Sequence, residues 1–301
     1  MAPSHSALAL SLVLALTTGC QVEENPQEDS GRPVVVASIF PLGDLARQMA
    51  GDLVRVEVLL PAGADLHTFD VTPRQLRDFV DAGLFLMIGG GLDEWMARIP
   101  AASGGTGEIV RLSDGIPLMA GDDHDATGNP HIWLDPVLVR DQLLPRIEAA
   151  LKALAPEGAE VIGLRAHALS DSLTALDAEI RMALDPLENR SFVATHPAWS
   201  YFAARYGLDE AGVIHAHPGE EPSSRELAEL LETAETRLID CVFTEPQMGE
   251  VAARAIATEL SLPTCLLDPL GGPDVEGRDG YFQLLRFNTR QFVQGLQKGG
   301  R

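Results

Sequence analysis

From Pro156 to Leu184 the chain keeps a helical pattern almost without interruption. Leu169, Leu173, Leu176, Ile180 and Leu184 recur at i, i+4, i+7, i+11 and i+15, which draws one apolar stripe along one face. At 1.5 Å of rise per residue such a helix runs roughly 40 Å, enough to lie along two lobes and join them as a stiff spine. A spine of this kind argues against the wide hinge closure that flexible strand connections allow.

The flanking sequence fits two lobes. Before the helix, "VVVASIF" (34–40), "VRVEVLL" (54–60), "LFLMI" (84–88) and "EIVRL" (108–112) read as strands. Helical patterns separate them: "LGDLARQMAG", "PRQLRDFVDAG" and "LDEWMARI". After it, "SFVAT" (191–195), "CVFTE" (241–245) and "TCLLD" (264–268) read as strands, and "WSYFAARYG", "SRELAELLETAETRL" and "GEVAARAIATEL" as helices. Alternation of this type makes parallel βαβ units. The expected fold is α/β: a lobe over 34–155, a connecting helix over 156–186, a second parallel-sheet lobe over 187–301, and a ligand cleft between the lobes.

The first residues are of another kind. "ALALSLVLAL" (7–16) is an apolar run too short to span a bilayer, and it leads through small residues to Cys20. Residues 1–19 read as a signal peptide, although they hold no Lys or Arg. "LTTGC" is similar to the lipobox of bacterial lipoproteins, so Cys20 is the expected lipidation site and residues 20–33 a flexible tether. The mature protein is then exported, touches the membrane through a lipid anchor, and is expected to be a monomer. In an oxidising compartment Cys241 and Cys265 are open to a disulfide or to two separate buried thiols.

Charge narrows the partners. Lys and Arg number 22 against 44 Asp and Glu, a net charge of −22, so a polyanionic nucleic acid would be repelled. Of the eight histidines, His5 lies in the signal and His167 on the connecting helix. The others fall in loops or at strand ends. His67 sits in "LLPAGADLHTFDVTPRQL", between a strand and a helix. His131 sits in the proline-bounded "NPHIWLDP", where Trp133 packs the loop and Asp135 caps the helix starting at Pro136. His196 and Asp268 each end a strand and precede a proline. Three of these four lie at carboxyl ends of strands, where open α/β sheets place ligands. Three imidazoles and a carboxylate make a tetrahedral set for Zn²⁺, whereas Mn²⁺ favours more oxygen ligands.

"PAGADLHTFDVTPRQ", "NPHIWLDP", "THPAWSYFAARYGL", "EEPSSRELAEL", "FTEPQ" and "LDPLG" resemble, in order, segments of the metal-binding solute-binding proteins of bacterial zinc and manganese ABC transporters. The likeness runs from about Val34 to near the C-terminus. It implies an extracytoplasmic, non-enzymatic protein that carries a metal ion to a membrane permease. It assigns ligand roles to His67, His131, His196 and Asp268. Manganese members typically have Glu where this chain has His196, which favours zinc. Many zinc members also carry a long His/Asp-rich loop, reduced here to "GDDHDATG" with His124, and His215 and His217 in "VIHAHPGEEP" depart from the usual small polar residues. His124, His215 and His217 are expected either as auxiliary metal-capture residues or as plain surface histidines. Glu245 of "FTEPQ" is a possible partner for an imidazole N–H, or a helix cap. A manganese or broad divalent carrier remains the alternative, and a secreted zinc hydrolase with Glu245 as base is a remote one, as no HExxH or GxSxG motif is present.

Overall fold

The computed structural model describes residues 31–103, 105–120, 128–215, 222–237 and 239–297. The signal peptide, Cys20, His124 and His217 lie outside the described residues.

Strands β1 (Val34–Ala37), β2 (Arg55–Val58), β3 (Leu84–Met87) and β4 (Glu108–Arg111) form one sheet in the order β2-β1-β3-β4, and every pairing is parallel. Between them lie α1 (Phe40–Ala50), α2 (Pro73–Asp78) and α3 (Arg98–Ser103). All four side chains of β3 are buried, the continuous apolar run of a parallel strand covered on both faces. The chain then passes through α4 (Pro136–Leu138) and α5 (Leu144–Leu154) into the long α6 (Ala159–Leu184).

The second sheet repeats the plan. Strands β5 (Ser191–Ala194), β6 (Asp209–Val213), β7 (Val242–Thr244) and β8 (Thr264–Leu266) are parallel in the order β6-β5-β7-β8, with α7 (Ser200–Tyr206), α8 (Ser224–Thr236), α9 (Val251–Glu259) and α10 (Tyr281–Leu296). Its two faces differ. Phe192, Ala194 and Phe243 join the main core with Trp199, Phe202 and Phe292. Val193 and Val242 turn the other way, onto a smaller cluster with Leu230, Ala234 and Ile256.

Helix α6 is the element expected from its stripe. Leu169, Leu173, Leu176, Ile180 and Leu184 are all buried, together with Ile162 and Ala166. Fully burying a leucine contributes about 1.5–3 kcal/mol, so the stripe is a large stabilising term. The helix packs on α1, α4 and α5 at one end and on α7 and α10 at the other. Arg165 of α6 also reaches the C-terminal carbonyl of α1, donating to Ala50 O at 2.9 Å, where a cation suits the helix dipole. The main core runs unbroken from the first sheet past α6 to the inner face of the second, and residues from Arg32 on form one compact unit.

Two elements were not expected from sequence. β6 reads Asp-Glu-Ala-Gly-Val, a poor strand composition that an edge position tolerates. α10 buries Asn288, Thr289 and Gly295 along with its apolar residues, and these interrupt the stripe that would reveal it. Several expected strands are also shorter than their apolar runs. β2 stops at Val58, β5 at Ala194 and β8 at Leu266, so the residues beyond them form loops at the carboxyl edge.

Candidate metal centre

His67 comes from the loop between β2 and α2. Its backbone N–H donates to Asp65 Oδ1 at 2.9 Å, and Thr68 Oγ1 donates to Asp65 Oδ2 at 2.9 Å, so a local carboxylate turn shapes this loop. At its far end Thr72 and Gln75 form a capping box at the start of α2, and Gln75 Nε2 ties back to Leu59 O at 3.2 Å. His67 itself is only half-buried.

His131 is held more closely. Asn129 Oδ1 accepts from the His131 backbone N–H at 3.0 Å and faces the ring Nδ1 at 2.8 Å. The Asn129 amide is oriented by its own donations to Pro197 O at 2.7 Å and Ser200 Oγ at 3.2 Å. The carbonyl therefore receives the Nδ1 proton, and the Nε2 lone pair points away from it. His196 follows β5 directly. Its Nδ1 lies 2.8 Å from Glu245 Oε2, and neither atom has another hydrogen-bond partner. Trp199 Nε1 donates to the other Glu245 oxygen at 3.3 Å, and Glu245 is fully buried.

These supports aim the two Nε2 atoms at each other: His131 Nε2 and His196 Nε2 are 3.3 Å apart, within hydrogen-bonding distance. Two nitrogens about 2.0–2.1 Å from a tetrahedral Zn²⁺ sit roughly 3.3–3.4 Å apart, so this spacing is already that of one tetrahedral edge. His67 completes the group. Its ring centroid is 5.4 Å from that of His131 and 5.5 Å from that of His196, and one ligand atom from each of the three lies within 4.8 Å of the others. The rings face a cavity of about 10 Å³, also lined by Asp65, Leu66, Trp133, Gln247, Met248, Pro269 and Leu270. That is room for about one water-sized particle.

The two buried imidazoles titrate in opposite directions. Burial, then repulsion from His196 and His67, holds His131 well below its usual value, so it is neutral and ready to coordinate. Burial also lowers His196, but the Glu245 carboxylate, with help from Glu210 and Asp65, more than offsets it and the net shift is upward. Glu210 is itself pushed up to about 7 by burial, although Ser200 Oγ donates to it at 2.6 Å.

The structure brings together His67, His131 and His196, and not Asp268. The Asp268 carboxylate faces Gln247 Nε2 at 2.9 Å, Leu270 N and Gly271 N at 3.0 Å, and Arg278 Nη1 at 2.7 Å. Asn288 of α10 fixes its backbone on both sides, accepting from Asp268 N at 2.8 Å and donating to Asp268 O at 2.7 Å. Sequence marks a strand end but not the direction a carboxylate takes there. His215 is buried beside the end of β5, where its N–H bonds Thr195 O at 2.8 Å, and it stands outside the group of three. His167 is exposed on α6, 3.9 Å from Asp171. Cys241 is buried just before β7, and Cys265 is half-buried on the neighbouring strand β8.

The segment carrying His131 is fastened to the second lobe. Trp133 Nε1 donates to Pro269 O at 2.8 Å, Tyr281 Oη donates to Trp133 O at 2.8 Å, and Tyr201 Oη donates to Asn129 O at 2.7 Å. Asp135 caps α4 through Val137 N at 2.8 Å, and Arg205 of α7 clamps the same carboxylate at 2.7–3.0 Å. Apart from Val137 at the cap, none of these partners is close in sequence, which is why the cap was foreseen and the others were not.

The model of the family described as ZnuA, zinc-uptake complex component A, periplasmic, matches residues 35–295. The chain belongs to this family. Among relatives, it is 26% identical to the zinc-binding lipoprotein AdcA of Streptococcus pneumoniae serotype 4 (strain ATCC BAA-334 / TIGR4), over 98% of this chain and 61% of AdcA. The chain thus spans 61% of the length of that relative. It is 24% identical to the manganese-binding lipoprotein MntA of Halalkalibacterium halodurans, over 97% of this chain and 98% of MntA. Among solved structures, a crystal structure of ZnuA superposes with a TM-score of 0.78 at 31% identity, covering 88% of this chain and 99% of that one. Membership in the ZnuA family fits a site built of imidazoles at the edge of two parallel sheets.

Proposed function

We propose that this protein is an extracytoplasmic zinc carrier that captures Zn²⁺ with His67, His131 and His196 and hands it to the permease of an ABC transporter. The observation that carries the reading is the 3.3 Å separation of the His131 and His196 Nε2 atoms. Two nitrogens already at the spacing of a tetrahedral edge need little rearrangement to take the ion. Glu245 supports His196 from behind, and Asn129 supports His131, as carboxylates and carbonyls do for metal-binding imidazoles. Three of the four donors to the Asp268 carboxylate bind Oδ1 and one binds Oδ2, so a bond from Oδ2 to the ion is compatible with these hydrogen bonds and Asp268 belongs to the proposed ligand set. Lipidation of Cys20, a lipid-anchored monomer, and auxiliary capture of the ion by His124, His215 and His217 belong to the same proposal. No helix among the described residues is long and apolar enough to cross a membrane.

Titration of the metal-free protein with Zn²⁺ against a competing chelator tests the reading. Affinity tighter than micromolar, lost in His196→Ala, is expected; micromolar or weaker binding, or an unaffected variant, removes it. A manganese carrier is the second reading, favoured by the similarity to MntA. Metal analysis of protein purified without added metal separates the two, since manganese in excess of zinc reverses the assignment. A hydrolase is not proposed, because the chain belongs to the family of zinc-uptake components.

A further inference from the structure

The supports of the two buried imidazoles meet on one short turn, residues 197–200 between β5 and α7. From one side Asn129, which faces His131 Nδ1, donates to Pro197 O at 2.7 Å and to Ser200 Oγ at 3.2 Å. From the other, Trp199 Nε1 donates to Glu245 Oε1 at 3.3 Å, and Glu245 Oε2 lies 2.8 Å from His196 Nδ1. A single charged side chain grips this turn from behind. Ser200 Oγ donates to Glu210 Oε2 at 2.6 Å, and the Trp199 backbone N–H faces the same carboxylate. The Trp199 side chain does not cap α7, so Glu210 serves the start of that helix from another element.

Glu210 belongs to the edge strand β6, at the point where its pairing with β5 shifts register: Phe192 faces Glu210, but Val193 faces Gly212. Such a bulge re-aims side chains beside functional sites. Phe192 belongs to the main core, and Glu210 shares its face of the sheet. Its Oε1 has no contact with solvent. A neutral amide could hold the turn without the cost of burying a charge, so the carboxylate has an electrostatic part to play. The titratable groups facing it are His196 at the end of β5 and Glu245 at the end of β7. We propose that Glu210 is a positioning residue of the metal site, bracing the turn that carries both imidazole supports and lending a buried negative charge that favours the ion. Burial raises its pKa to about 7 against the Ser200 hydroxyl, His196 and the Trp199 N–H, and Glu245 adds to the rise. A divalent ion arriving beside His196 lowers that value, and the proton then leaves Glu210 for solvent. Capture is thereby linked to proton release from a residue the ion does not touch. The inference rests on the metal site proposed above.

The experiment titrates the full chain with Zn²⁺. Calorimetry at about pH 7 in two buffers of different ionisation enthalpy counts the protons released, and competition with a chelator at about pH 5.5 and pH 8 gives the affinity. Glu210→Gln keeps the shape and can still accept from Ser200. It is expected to release about half a proton fewer than the wild type at neutral pH. Its affinity should be about tenfold weaker at the higher pH, the effect of one pKa unit, with the gap closing at the lower pH where the wild-type carboxyl is protonated. Ser200→Ala cuts the tie to Asn129 and keeps the charge. A several-fold loss of affinity is expected at both pH values, with no fall in the proton count. An unchanged proton count in Glu210→Gln, or an affinity loss of equal size at both pH values, would make Glu210 a packing group and overturns the proposal. Wild-type affinity in Ser200→Ala overturns it as well. The underlying reading fails separately, by a His131→Ala variant that binds Zn²⁺ as the wild type does.

Discussion

The two sides of the site are built differently. His131 and His196 are buried, each backed at Nδ1 by a fixed oxygen, and their Nε2 atoms meet at 3.3 Å. His67 is half-buried on a loop shaped by its own Asp65 turn. The first pair is organised by contacts that span tens of residues, Asn129 with Ser200 and His196 with Glu245, whereas the turn around the third is local. On the proposed reading, the difference teaches that much of the coordination geometry is set by the fold, and that the β2–α2 loop supplies the part most able to adjust. Preorganisation lowers the ordering cost of binding, and an adjustable side gives the ion a way in and out.

That contrast ranks the expected effects. His131→Ala or His196→Ala should be the most damaging. Each removes half of the prebuilt edge, and the loss of Zn²⁺ affinity in a chelator competition should exceed the roughly 10–100-fold typical of supporting residues. His67→Ala should come next, leaving weaker but measurable binding by the remaining pair; a loss equal to that of His196→Ala would break the comparison. Glu245→Gln should cost about tenfold and also change the pH profile. His196 is held above its usual 6.5, so Zn²⁺ affinity should weaken as pH falls through the raised value and the imidazole takes up its second proton. Removing the Glu245 charge lowers that value, and the weakening should move to lower pH. The same linkage acts on the metal-free fold: the charged His196–Glu245 pair adds stability that is fully present below 6.5 and is lost as pH rises through the raised value. Melting of the metal-free protein across pH checks this sign. Asp65→Ala should have the smallest effect, a few-fold faster Zn²⁺ release in stopped-flow exchange with little change at His131 and His196.

Much of this was legible in the chain. The α6 stripe from Leu169 to Leu184 is all buried, and the alternating runs became two parallel sheets with one strand order. His67, His131 and His196 stood in loops after strands or in a proline-fenced segment, and they converge. What sequence hid was of three kinds. The edge strand β6 and the C-terminal helix α10 carry compositions whose burial depends on tertiary packing. Partners such as Asn129 with Ser200, or Asp135 with Arg205, are some seventy residues apart and meet only in the fold. Asp268 had the same strand-end position as His196, but a guanidinium and two backbone N–H groups a few residues on take its carboxylate.

The most direct test of the central claim is X-ray absorption at the zinc edge of the protein loaded with one equivalent of Zn²⁺. Four-coordinate zinc with three imidazoles is the expected result, reduced to two imidazoles in His67→Ala. A six-coordinate, oxygen-rich shell, or an imidazole count unchanged by that substitution, would contradict the account.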